Sequence, residues 1–86
     1  MFTIAFKSSV EKDLRHLQAD ISKRVLERIE ALKTTPFPKQ ASKLSGAERL
    51  YRIRISDYRV VYEVEAKEKK ITIHYVRHRR EVYRGM

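Results

Sequence analysis

Two clusters of arginine carry most of the chemistry this sequence can offer. Arg52 and Arg54 stand two residues apart, in a run where Tyr51, Ile53 and Ile55 alternate with them. That is the period of a half-buried strand, so both guanidinium groups point to one face. Four arginines fall between Arg49 and Arg59 against one acid, Asp57, and four more between Arg77 and Arg84 against Glu81. If neighbouring strands bring Arg59 and either Arg77 or Arg79 to the same face, several planar cationic forks converge on one surface. Such a surface can grip a phosphodiester bidentately and stabilise the extra charge of a pentacoordinate transition state. The competing reading is that strand arginines merely solvate the open face of a one-sided sheet. The second cluster, which brings a histidine and a tyrosine with it, favours a site.

His78 sits between Arg77 and Arg79. Flanking cations favour the neutral imidazole, the form a general base needs. Tyr83 is either the last core aromatic or a phenol that stacks on a base or moves a proton. His74 reads as a strand residue and His16 as an exposed helix residue. Neither has a spacing partner, and no metal site is expected. The sequence has no glycine-rich phosphate loop, no Ser–His–Asp constellation and no carboxylate pair suited to acid–base work. An enzyme built on arginine, histidine and tyrosine suits metal-independent RNA cleavage, with the ribose 2′-hydroxyl attacking its own phosphate. No cofactor is implied.

Composition points the same way. The chain has 20 Lys+Arg against 11 Asp+Glu, a net charge of +9 in 86 residues. A field this strong attracts polyanions, either nucleic acid or an acidic protein that blocks the same surface. A membrane surface fits less well, because no basic amphipathic helix carries bulky apolar anchors opposite its charges. A chain this short makes one domain, residues 1–86, and buries only about 60% of its unfolded surface. The absence of cysteine fits a reducing compartment. The first residues, MFTIAFKSS, are too short and interrupted for a signal peptide, so a cytoplasmic protein is expected.

The elements that must position these residues can be read along the chain. Residues 2–6 form a strand. Ser8 and Glu11 have capping-box spacing, and Val10, Leu14 and Leu17 follow at helical intervals. Asp20 is the expected cap of a second helix, with Ile21, Val25, Ile29 and Leu32 as its apolar stripe and Leu26 widening it. Pro36–Phe37–Pro38 ends that segment. Lys43–Leu44–Ser45–Gly46 reads as a loop or short edge strand. Then come strands through Tyr51–Ile55, Tyr58–Glu65 and Ile71–Val76, with Ser56–Asp57 as a two-residue hairpin turn. On the middle strand, Tyr58, Val60, Tyr62 and Val64 share one face, while Arg59 and Val61 take the other. The fold class is α+β: an N-terminal strand, a helical hairpin, then a three-stranded antiparallel meander, giving a small four-stranded sheet.

The run Leu50-Tyr51-Arg52-Ile53-Arg54-Ile55-Ser56-Asp57-Tyr58-Arg59-Val60-Val61-Tyr62-Glu63-Val64 resembles the central hairpin of the RelE/ParE toxin superfamily. His78-Arg79-Arg80-Glu81-Val82-Tyr83 resembles the C-terminal motif of its RelE branch, and Lys43-Leu44-Ser45-Gly46 is similar to the family's approach to the hairpin. The similarity runs in order over nearly the whole chain. It implies the toxin of a type II toxin–antitoxin system: an endoribonuclease, or mRNA interferase, that cuts the message in the ribosomal A site and inhibits translation. The products would be a 2′,3′-cyclic phosphate and a 5′-hydroxyl. Implied partners are mRNA, the ribosome with its rRNA, and a cognate acidic, RelB-like antitoxin. By position, Arg54, Arg59, Arg79, His78 and Tyr83 are the catalytic candidates, with Arg77 able to take the place of Arg79. Arg52, Lys43, Arg77 and Arg80 are the RNA-binding candidates. Some members carry lysine where Arg52 and Arg54 stand. Arginine stays protonated and cannot act as a base, so the base must be sought in His78, Tyr83 or the substrate's surroundings. Two alternatives share the scaffold or the charge: a ParE-like inhibitor of gyrase that cuts nothing, and a non-catalytic RNA- or ribosome-binding module.

Overall fold

The computed structural model describes residues 1–44, 46 and 49–78. In chain order the elements are β1 (Thr3–Phe6), α1 (Ser8–Arg15), α2 (Ala19–Ala31), β2 (Ser42–Lys43), β3 (Leu50–Ile55), β4 (Tyr58–Glu65) and β5 (Lys70–His78). The strands form one sheet in the order β1-β5-β4-β3-β2. β1 runs parallel to β5, and the other pairings are antiparallel. The α+β reading holds, with one strand more than expected. Ser42 and Lys43 pair with Arg52 and Tyr51 and make the fifth strand.

Apolar burial follows the sequence periods. Val10 of α1 and Val25, Ile29 and Leu32 of the α2 segment pack on Ile53, Ile55, Val60, Tyr62, Val64, Ile71, Ile73 and Val76. This places both helices on one face of the sheet. Leu26 does not widen the stripe. It is 43% exposed, one step round the helix from Val25 and outside the apolar arc. The caps also differ from expectation. Lys7 and Gln18 stand at the N-cap positions, and neither helix has a side-chain cap bond. Glu11 and Asp20 lie in the first turns, where a negative charge still complements the helix dipole.

The β3–β4 turn is as tight as the sequence suggested. Ile55 pairs with Tyr58, and Ser56 takes a positive φ of 56°, as a primed hairpin turn requires at its first central residue. Between β4 and β5 the register shifts: Val61 faces Tyr75 but Tyr62 faces Ile73. The extra residue, His74, forms a bulge. It lets Ile73 and Val76, three apart, both enter the core and turns the end of β5 over.

Two polar contacts fix this architecture. Tyr62 is fully buried and donates its hydroxyl to the Pro36 carbonyl at 2.9 Å, anchoring the loop after α2. Tyr51 stacks on Tyr62, and Phe37 meets Tyr51 edge-on. At the other side of the sheet, β1 stops pairing at Phe6–Ile73, which leaves the following edge of β5 uncovered by a strand. Asp13 of α1 fills the gap, accepting the Val76 N–H at 3.1 Å. A backbone bond to a carboxylate contributes roughly 1.5–3 kcal/mol. Asp13→Ala should therefore lower the urea midpoint by the equivalent of about 1.5–3 kcal/mol, and Asp13→Asn, which keeps an acceptor, by less. An unchanged midpoint in Asp13→Ala would show that the bond does not hold α1 to β5.

Candidate functional site: a cross-strand arginine row

On the face away from the helices, Arg54 of β3 lies directly opposite Arg59 of β4, and Arg59 directly opposite Arg77 of β5. Cross-strand partners have Cβ atoms about 4.5–5.5 Å apart, so three guanidinium side chains stand abreast. Like charges placed opposite one another destabilise a sheet. An anion bound along the row would offset that repulsion. Arg59, in the middle, is only 9% exposed, so its charge acts in a partly desolvated setting where electrostatic interactions are stronger.

The next row consists of Arg52, Val61 and Tyr75. Val61 is 2% exposed although it lies outside the helix-side core, and forms the apolar floor of this face. The Arg77 guanidinium lies 4.6 Å from the centroid of the Tyr75 ring, a cation–π contact that holds its plane. Further along, His74 Nε2 is 3.0 Å from Glu63 Oε1. The face therefore runs from strongly basic at the Arg54–Arg59–Arg77 end to a His–carboxylate pair at the other.

The other candidates fall elsewhere. His78 does not share the arginine face. It pairs with Tyr58, with ring centroids 5.2 Å apart, on the side where α1 packs. There a cleft of about 270 Å³ is lined by Lys12, Asp13, His16, Leu17, Tyr58, Val76 and His78. Lys43 lies opposite Tyr51, whose ring belongs to the helix side, so it too is off the arginine face. Arg79, Arg80 and Tyr83 lie outside the described residues. Tyr75 and the His74–Glu63 pair were not singled out from sequence. Both depend on the bulge and register, which no local pattern encodes. Among the described residues, no group of three or more His, Cys, Asp or Glu side chains could hold a metal ion. No described helix is long and apolar enough to cross a membrane.

Comparison with known proteins decides the family. The family described as "ParE toxin of type II toxin-antitoxin system, parDE" matches residues 4–83. The RelE1 protein of Methanocaldococcus jannaschii is 35% identical over 98% of this chain and 97% of its own length. The chain belongs to the RelE/ParE toxin superfamily. Solved RelE structures share its shape. The Methanococcus jannaschii RelB–RelE antitoxin–toxin complex superposes with a TM-score of 0.82 at 29% identity, covering 95% of this chain and 98% of the other. The RelE–RelB complex of Pyrococcus horikoshii gives 0.82 at 34% identity, covering 91% and 94%. The isolated RelE toxin of E. coli gives 0.79 over the whole of both chains at 20% identity, a likeness of fold alone. In this RelE/ParE chain the arginine row spans the β3–β4 hairpin and the strand that follows it.

Proposed function

We propose that this superfamily member is a ribosome-dependent endoribonuclease, the toxin of a type II pair. The observation that supports this reading best is the row Arg54–Arg59–Arg77, three arginines in cross-strand register with an aromatic ring beside it. In the proposed reaction, the ribose 2′-oxygen bonds to the adjacent phosphorus as the 5′-oxygen leaves. The 2′-proton passes to a base, the departing oxygen gains a proton, and the products are a 2′,3′-cyclic phosphate and a 5′-hydroxyl. Arg54 and Arg59 hold the non-bridging oxygens and stabilise the charge they gain at the transition state. Arg77 completes the row as the tail arginine. Arg52 holds a neighbouring phosphate, and Tyr75 offers a surface on which a base can stack.

The proton acceptor is the part of the scheme that the row does not supply. His78 follows Arg77 directly but faces α1, so a 2′-hydroxyl held at the row does not meet its imidazole. His78→Ala should therefore slow single-turnover cleavage by much less than the 10²–10⁴-fold expected on losing a general base, and leave the acidic limb of the pH–rate profile in place. A loss of that limb would mean that the RNA bends round the end of β5 to reach His78.

The partner of such a toxin is an acidic antitoxin, RelB-like by analogy with the complexes of its relatives, which neutralises the arginines. The family description names ParE, so the gyrase-directed reading is the one to eliminate. Mapping message ends after brief induction does so. New 5′ ends that vanish when translation is blocked support the nuclease. Intact messages accompanied by gyrase-linked DNA breaks support the alternative.

A further inference from the structure

We infer that the arginine row continues round the β3 edge of the sheet into a second phosphate-binding groove on α2, which holds the single-stranded RNA flanking the scissile bond. This extends the nuclease reading to a separate part of the surface. β2 pairs only with Tyr51 and Arg52, so beyond Arg52 no described strand covers the outer edge of β3. There a groove of about 460 Å³ opens between α2 and the β3–β4 turn, lined by Arg24, Glu27, Arg28, Arg54, Ile55 and Ser56. Arg24 and Arg28 are one helical turn apart, on the same flank of α2.

Arg54 belongs to both features. It ends the row Arg77–Arg59–Arg54 and opens the groove Arg54–Arg28–Arg24. Five arginines thus form one path across β5, β4 and β3 to the helix. Among the described residues, Arg24, Arg28 and Arg54 form no ion pair, although Glu27 lines the same groove. Their charge remains available for an external anion.

The occupant follows from where a strand can leave the row. Along the sheet it would meet the Glu63 carboxylate beyond Val61, which repels phosphate. Over the β3 edge it meets guanidinium groups, whose planar forks match phosphate oxygens. A single strand is favoured over a duplex because the path must turn from a sheet face on to a helix flank. An acidic protein segment is the competing occupant.

The test measures binding of the full-length protein to a short single-stranded 2′-O-methyl RNA, which lacks the attacking hydroxyl and cannot be cut, over a range of salt concentrations. Each phosphate contact on a single strand contributes about 0.7 to the slope of log affinity against log salt. The double substitution Arg24→Gln with Arg28→Gln should make the slope about 1.4 shallower. The charge-conserving pair Arg24→Lys with Arg28→Lys should retain the parent slope. Lys23→Gln, exposed on the same helix but outside the groove, should also leave it unchanged, and matched melting curves show that all variants are folded. A steep parent slope that the glutamine pair does not alter, or that Lys23→Gln alters as much, overturns the groove and leaves the nuclease reading standing. An unaltered RNA slope with weakened binding of the acidic antitoxin overturns it in favour of a protein-docking site. A parent slope near zero overturns the RNA reading itself.

Discussion

Arg59→Ala is expected to lower the single-turnover rate of message cleavage on programmed ribosomes by about 10²–10³-fold, some 2.7–4 kcal/mol of transition-state stabilisation. Arg59 is the central member of the row, flanked by Arg54 and Arg77, and the least exposed of the three. A preorganised donor in a partly desolvated position is effective because it needs no reorganisation as charge develops. Arg54→Ala should approach the same loss, and Arg52→Ala, one row away, should weaken binding more than rate. An Arg59→Ala protein that is folded and cleaves at the parent rate would show that the row does not contact the reacting phosphate.

The largest stability effect is expected at Tyr62. Truncation to alanine removes a fully buried ring from the centre of the sheet together with its bond to Pro36. Large aromatic-to-alanine changes in cores cost about 3–5 kcal/mol, a large part of the 5–15 kcal/mol that holds a typical domain folded. Tyr62→Phe keeps the ring and loses only the hydroxyl bond, about 1 kcal/mol. Burial pushes the Tyr62 phenol up to about 12, from an ordinary value of 10.0. Because the folded state favours the neutral phenol, this contribution is complete below about pH 10 and disappears as pH rises from there towards 12. Tyr62→Phe should flatten the fall in stability over that window. An unfolding curve equally steep in parent and Tyr62→Phe would assign the alkaline loss to other groups.

The element types and the paired hairpin were legible because their periods are strong. Arg52–Arg54, the Ser56–Asp57 turn and the β4 face assignments all follow from strict alternation. What alternation alone could not place lies in β5. Continued from Ile71 and Ile73, a period of two would send Arg77 into the core and His78 outward. The bulge at His74 reverses both, so Arg77 joins the arginines and His78 joins Tyr58 beside α1. A one-residue register shift exchanges faces, and a bulge has no signature in the local sequence. The same cause hid Tyr75 and the Glu63–His74 pair. The helix caps were misread for a different reason. Ser8 and Asp20 have capping chemistry, but the N-cap positions fall one residue earlier in α1, at Lys7, and two residues earlier in α2, at Gln18, and cap preference is too weak to fix a helix start by itself.

The most direct test of the central claim is chemical analysis of the RNA ends made by the purified full-length toxin on ribosomes with a message in the A site. Parent protein should yield a new 5′-hydroxyl and a 2′,3′-cyclic phosphate, with no added metal and no cleavage of the same RNA off the ribosome, and Arg59→Ala should yield almost none. An uncut message with folded parent toxin, or 5′-phosphate ends that require a divalent ion, would contradict the account.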